Sequence, residues 1–571
     1  MSLKAEAKHR PLVTGSFEMT LVEGGLGAVF WNGVEVLRGV SCLVRDADWG
    51  TYGAENFVET RITNASVQTI RQTFTINKGT ANVEVEVTVD LAGQLELIAK
   101  ITANADVMTN RAGLVILHPI AETAGCELNI AHPDGSATTT QFPKLIAPSQ
   151  PAMNIAGLNH TIGSVNIDLL FAGDVFEMED QRNWSDASFK TYCRPLSRPY
   201  PYALKTGETV RQTLRLTVKE TAGNNAMAVA AKTTIGTMPE IMLALEQGWM
   251  PDQQVWPILK ALGVQGLLLR VHATEFETSI WQHAAEFAAA ISAPIDLELV
   301  LTSRDFAVDL HRAATHCAAS GIAPRHVFAL PDIWLKSYQP DLGPLPASLK
   351  TCITDARSAF PNARIGAGML TNFTELNRCR VTGGDYVTHG NTAIVHAADD
   401  VSVWQTLEAL PQIFASGKAI AGQRGYRLGL VSIGMRTNPY GAALATNPDR
   451  QRVAMAGDDP RQQEPFAAAY AIGAAIEAAF NGVGALGLAA PVGRFGIVDA
   501  SGTFPIFEAL QALAKFSGQK VKRLEGLPVG LTGIEAESGA HLIANCSPQP
   551  VYFSGQSLET GACLMNGVRL C

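Results

Sequence analysis

The sequence predicts a multidomain chain of the α/β plus β class: an N-terminal antiparallel β-sandwich over residues 1–222, a central (β/α)8 TIM-like barrel over 226–519 and a small C-terminal β-module over 520–571. Three observations predict it. A chain of 571 residues exceeds what one hydrophobic core serves, so two to four domains are expected. The period of the apolar residues changes twice, from alternation to continuous runs and back to alternation. Between those changes, short apolar runs are followed in turn by Ala-rich helical stretches, the pattern of strands covered on both faces by helices.

The sandwich rests on the runs Val29–Leu37, Phe57–Ile70, Gln72–Ile76, Val83–Val89, Leu95–Ile101, Val165–Phe171 and Val210–Val218. Several of them alternate apolar and polar residues and are rich in β-branched side chains, as half-buried antiparallel strands require. Thr221-Ala222-Gly223-Asn224-Asn225 is small and polar and reads as a linker. The barrel strands are expected at Ile241–Leu245, Gly266–Val271, Ile295–Leu301, His326–Leu330, Arg364–Gly368, Tyr386–Thr388, Gly429–Ile433 and Ala485–Leu488. Among the helices between them, Phe276–Ile291, Phe306–Ser320, Ser402–Ile413 and Pro465–Phe480 repeat apolar residues at three and four. After a helix at Phe504–Lys515, strand-like runs at Gly533–Ile534, His541–Ala544 and Val551–Phe553 are too few for an independent core and are expected to pack on the barrel.

Composition narrows the function. Hydrophobic residues at 47% and charged residues at 17% mark a globular chain, and a formal charge of −9 without Lys/Arg runs argues against nucleic acid. The longest apolar stretches are interrupted or short, and no leader pattern opens the chain, so a membrane partner is not expected. Nine scattered cysteines, an odd number with no C-x-x-C, fit reduced thiols in a cytoplasm. Oligomeric state leaves no trace in the sequence.

Barrel enzymes build their sites at the carboxyl ends of the strands, so the polar residues that close each apolar run are the candidates. These are Glu246 and Trp249 after strand 1, Arg270 and His272 on strand 2, Glu298 on strand 3, and Asp332 and Trp334 after strand 4. Asn372 and Glu375 follow strand 5, His389, Asn391 and His396 follow strand 6, and Arg436 and Asn438 follow strand 7. Alternation puts Asp296 and Glu298 on one face of a buried strand, where Glu298 either pairs with Arg270 or serves an active site. Glu375 and His396 are candidates for chemistry or, alternatively, for helix capping and loop anchoring; Asp399 and Asp400 precede a helix and suit an N-cap. Arg436 and Asn438, on a loop stiffened by Pro439, suit an oxyanion or a carboxylate. There is no G-x-S-x-G elbow, P-loop, H-E-x-x-H or dinucleotide fingerprint. No organic cofactor is indicated and no metal ligands are assigned, although His and carboxylates from separate strands leave a divalent metal open.

Several segments together resemble the D-apionate lactonase family: Met178-Glu179-Asp180-Gln181-Arg182-Asn183-Trp184-Ser185-Asp186-Ala187-Ser188-Phe189-Lys190-Thr191-Tyr192, Leu117-His118-Pro119, Phe373-Thr374-Glu375-Leu376-Asn377-Arg378, Val395-His396-Ala397 with Asp400, and Arg436 with Asn438-Pro439. The resemblance implies a carboxylic ester hydrolase that opens a sugar-derived lactone, D-apionolactone to D-apionate, in apiose catabolism. It supplies no catalytic residues to carry over, and strand 5, with Gly366-Ala367-Gly368-Met369-Leu370, departs from the family's aromatic-rich version.

Lactone opening needs an activated water, an oxyanion stabiliser and a proton for the leaving alkoxide. The expected parts are Glu375 or His396 as general base, Glu298 as a second acid or hydroxyl ligand, and Arg436 and Asn438 as clamps. Asn372, Arg182, Asn183 and Trp184 are expected to touch substrate, the last three alternatively forming an interdomain clamp with Lys190. On this reading Glu375→Gln abolishes turnover. Two rival readings remain: a glycoside hydrolase, which needs two carboxyls about 5 to 9.5 Å apart, and a non-catalytic carbohydrate-binding protein.

Overall fold

The computed structural model describes residues 10–64, 67–221, 235–277, 279–337 and 347–571. The expected linker lies, apart from Thr221, outside these residues. The described residues form two compact units. The first runs to Gln181 and resumes from Ala187 to Thr221; the second takes Arg182–Asp186 and everything described from Ile235 onward.

The first unit holds two nine-stranded antiparallel sheets. Alternation decides their faces: in Ala81–Asp90 the residues Val83, Val85, Val87 and Val89 are buried and the intervening polar ones are not. The sheets pack closely where Gly113 of one meets Gln212 of the other, whose Oε1 accepts from Leu114 N at 2.7 Å. Two expected strands prove to be hairpins. Val29–Leu37 turns at Asn32-Gly33, both with φ above zero, between Gly25–Trp31 and Val34–Leu37. Phe57–Ile70 divides into Glu55–Thr63 and Val67–Ile76, which pair antiparallel. Strands such as Arg111–Pro119 and Ser188–Cys193 escaped the sequence reading because both faces are buried and alternation is lost.

The second unit is built on eight parallel strands, β1 Glu240–Leu245, β2 Gly266–His272, β3 Ile295–Leu301, β4 His326–Pro331, β5 Arg364–Gly368, β6 Tyr386–Thr388, β7 Gly425–Ser432 and β8 Ala485–Ala489. Each pairs with the next, and β8 returns to β1, so the barrel closes. The helices are α1 Trp256–Lys260, α2 Ile280–Ile291, α3 Phe306–Ala319, α4 Ala347–Ala359, α5 Phe373–Arg378, α6 Asp400–Ala421, α7 Pro465–Phe480 and α8 Pro505–Phe516. Strand β7 begins at Gly425 instead of Gly429, because Arg427 breaks the apolar run yet is held by acidic residues of the lumen. Helix α6 runs on past Ile413 through small, buried Ser416 and Gly417; a Cβ at Gly417 would lie 2.2 Å from the Tyr426 hydroxyl. Asp399 caps it, accepting from Ser402 N at 2.9 Å, and Asp400 pairs with Arg461 at 3.1 Å.

Two ionic layers fill the barrel, because β3 points both Asp296 and Glu298 inward. Asp296 meets Arg427 at 2.7 Å, Arg325 at 3.2 Å and His326 at 3.2 Å. Glu298 heads the upper layer. Beyond the barrel, a six-stranded antiparallel sheet joins Lys520–Arg523 to the later strands and also recruits Ile235–Thr237. It packs on α7, where the Cys546 thiol donates to Ala469 O. None of the described helices is long and apolar enough to cross a membrane.

Candidate active site

The upper layer joins residues from four strands. Arg270 Nε on β2 donates to Glu298 Oε2 at 2.8 Å, and Arg436 Nη1, after β7, donates to the same oxygen at 3.0 Å. Arg436 Nε also reaches Glu246 Oε2, after β1, at 3.2 Å. Burial alone would raise the Glu298 pKa, but the two guanidiniums outweigh it and hold the group below its ordinary value. Glu298 is thereby a fixed carboxylate that positions two arginines. Both guanidiniums engage the carboxylate that the sequence offered as a second acid or hydroxyl ligand.

A third arginine stands beside them. Arg494, in the loop after β8, donates to Arg436 O at 3.0 Å, and both guanidiniums lie against the buried Trp249 indole, 5.0 and 5.5 Å from a ring centroid. Gly493 allows this loop in: its φ is +83°, and a Cβ there would sit 2.7 Å from the indole. Three guanidiniums thus gather near Glu246 and Glu298, and Asp458 also acts on Arg494.

Beside Arg270 and Arg436 lies a narrow cavity of about 10 Å³, room for about one water, also lined by Asn372, Asn391, Thr392 and Thr437. Asn372 donates to the Tyr440 hydroxyl at 3.3 Å. Asn391 accepts from Ser185 Oγ at 2.9 Å through Oδ1, while its buried Nδ2 has no hydrogen-bond partner among the described residues.

Glu375 sits in a helix cap. It is the third residue of α5, fully buried, and its Oε2 accepts from Asn372 N at 3.2 Å while the Asn372 side chain completes a capping box. Burial pushes its pKa up to about 7, against smaller opposing effects of Arg378, the local backbone and the Ser337 and Thr371 hydroxyls. An acid raised in this way costs the folded state stability as pH climbs from its unfolded pKa, near 4.5, to about 7, and the cost then stays constant. Glu375→Gln, which keeps the capping acceptor without the charge, is expected to match the native protein at pH 4. At pH 8 it should unfold later, by up to about 3 kcal/mol, with turnover retained. Equal urea midpoints at pH 8, or lost turnover, would contradict this assignment and restore the expectation drawn from sequence.

The segment Arg182–Asp186 is framework and orienter together. Arg182, fully buried, donates to Gln412 of α6; Asn183 accepts from Asn377 Nδ2 at 2.9 Å through its side chain and from Thr374 Oγ1 at 2.6 Å through its carbonyl. Trp184 lies between Arg378 and His396, 5.0 Å from the guanidinium and 5.7 Å from the imidazole. These contacts tie the segment to α5, α6 and the loop after β6, the clamp role that the sequence offered beside contact with substrate. Asp186 Oδ2 meets His396 Nδ1 at 2.6 Å. A carboxylate only accepts, so Nδ1 carries a proton, and Nε2 makes no hydrogen bond among the described residues. Both side chains are partly exposed.

Asn438, expected as a clamp, has its amide engaged within its own loop: Nδ2 donates to Ala443 O at 2.7 Å and Oδ1 accepts from Tyr440 N and Gly441 N. His389 spends both ring nitrogens on Gly390 O and the Tyr426 hydroxyl. Asp332 is exposed, and no group of three His, Cys, Asp or Glu able to hold a metal stands together among the described residues.

Against known proteins, residues 2–221 match the sequence profile of the D-apionate lactonase N-terminal domain and residues 242–518 that of the D-apionate lactonase TIM barrel domain. A curated protein of Brucella anthropi, D-apionate lactonase, is 36% identical over 547 residues, spanning 90% of this chain and 89% of its own. The chain belongs to the D-apionate lactonase family. Solved structures resemble this family member only remotely. A GH36 α-galactosidase of Geobacillus stearothermophilus gives a TM-score of 0.27 at 9% identity, over 98% of this chain and 94% of its own. A galactose 1-epimerase of Lactobacillus acidophilus gives 0.27 at 7%, over 37% and 93%. Likeness at that level bears on neither fold nor chemistry.

For this D-apionate lactonase family member, sequence reasoning passed over Arg494, Tyr440 and the role of Asp186. Arg494 obeys the same rule as the others, since it follows the eighth apolar run by six residues after Leu488. Asp186 carried no such signal: it lies between two strands of the first unit, and only the folded chain sets it beside His396.

Proposed function

We propose that this chain hydrolyses a sugar-derived lactone, D-apionolactone to D-apionate, in the catabolism of apiose. The observation that carries the reading is the match along nine-tenths of the chain to a relative named D-apionate lactonase. The geometry supports a mechanism. His396 Nε2, with Asp186 fixing the tautomer, takes a proton from water as the oxygen bonds to the lactone carbonyl carbon. Arg436 and Arg270 stabilise the resulting oxyanion. As the ring C–O bond breaks, the imidazolium returns the proton to the departing alkoxide, leaving a hydroxy acid. Ser185, next to Asp186 in sequence, donates to Asn391 of the cavity lining.

On this reading residues 226–519 carry the chemistry together with Asp186. A cytoplasmic setting belongs to the same proposal and is supported by nine cysteines that are all free thiols. The test is acid release from a panel of five-membered aldonolactones, with aryl glycosides alongside, each with and without chelator. Base uptake with D-apionolactone and none with the glycosides is expected; cleavage of glycosides alone would replace the reading with glycoside hydrolysis.

A further inference from the structure

One edge of the sheet beyond the barrel brings two thiols together. Its strands Cys563–Met565 and Val568–Arg569 pair antiparallel around Asn566-Gly567, both with φ above zero, a tight turn that fixes their register. Leu570 N donates to Cys563 O at 2.8 Å, which carries the pairing one residue further and leaves Cys571 beside Cys563. Both thiols converge on one carbonyl: Gly561 O accepts from Cys563 Sγ at 3.3 Å and from Cys571 Sγ at 3.8 Å. That carbonyl is held in place, because Gly561 packs against the start of α7, where a Cβ would lie 2.7 Å from Phe466 N.

The two sulfurs differ in ways that suit different tasks. Cys571 is partly exposed and Cys563 is fully buried. A hydrogen bond from the Cys563 thiol, helped by its backbone and by Arg569, holds the Cys571 pKa below the ordinary value against burial and Glu508. The other eight thiols are all shifted upward, Cys563 by the same hydrogen bond and the remaining seven chiefly by burial. Since the thiolate is the nucleophile, reactivity is concentrated at the one sulfur that has a neighbour in reach and a path to solvent.

We infer that Cys571 and Cys563 form a reversible oxidation site for hydrogen peroxide, Cys571 attacking the peroxide and Cys563 closing the disulfide. In the first step the Cys571 sulfur bonds to one peroxide oxygen and the O–O bond breaks. Hydroxide leaves and takes up a proton, so the sulfur is oxidised to a sulfenic acid as the peroxide is reduced to water. In the second step the Cys563 sulfur bonds to the Cys571 sulfur, the S–O bond breaks, and the Cys563 proton leaves with the departing hydroxide as a second water. A dithiol reductant reverses the result by exchange.

Peptide mapping of the native full-length chain after brief peroxide treatment and alkylation tests it. A single disulfide between Cys563 and Cys571 is expected, with the other seven thiols alkylated and the bond lost on adding dithiothreitol. Cys563→Ser should stop at the sulfenic acid, trapped by dimedone on Cys571, and Cys571→Ser should slow peroxide-driven thiol loss by about tenfold or more. No linkage between the two, a linkage of Cys563 to Cys546 instead, or thiol loss in Cys571→Ser as fast as in the native chain would overturn the inference. The native map and the Cys571→Ser rate decide the matter even where Cys563→Ser, altered at a buried position, fails to fold.

Discussion

Glu298→Gln is expected to lower the stability of the barrel by about 3 to 5 kcal/mol, the cost of removing one partner from a buried ion pair. The native carboxylate is 3% exposed and accepts from two guanidiniums at 2.8 and 3.0 Å. With an amide in its place, Arg270 keeps its charge in a site almost closed to water, and Arg436 keeps only Glu246. The residual repulsion between the two arginines, which already lowers the Arg270 pKa after desolvation, would then lack its main compensation. Because the chain forms two compact units, the effect belongs to the barrel's own transition, followed by the indole of Trp249 in urea. An unchanged midpoint would mean that Glu298 is not the counter-ion described. The same variant should lose lactone turnover, since the two arginines are positioned through this group.

The second large effect is expected at His396. Substitution by alanine removes the proposed base and should lower kcat by about 10² to 10⁴ while leaving the fold intact, since the side chain is partly exposed. Asp186→Asn keeps the imidazole and removes the acceptor that sets its tautomer, so it should lower kcat without changing KM. Initial rates at saturating lactone decide the matter: a His396→Ala enzyme within fivefold of the native rate would move general base catalysis to another residue.

Most of the barrel was legible in the sequence because a strand buried on both faces must be apolar throughout, and seven of the expected runs lie within two residues of the observed strands at either end. The exception, β7, is instructive: Arg427 hides a strand from any rule that counts apolar residues, since only the folded lumen supplies Asp296 and Glu240 to receive it. In the candidate site, the rim rule found Glu298, Arg436, Asn372 and His396 as positions but not as roles. Roles depend on partners from distant chain positions. Glu375 lies on the rim in sequence and inside a helix cap in space; Asn438 stands on a rim loop and is consumed by it. The carboxylate beside His396 comes from 210 residues earlier, a separation across which no local pattern can point.

That last pairing bears on how this chain can be divided. A fragment beginning at residue 231 would retain every strand of the barrel and could close its sheet, yet its imidazole would have lost the group that orients it. Folding competence and chemical competence thus have different minimum lengths here: the shorter polypeptide is a complete architecture, and only the longer one is a complete reagent.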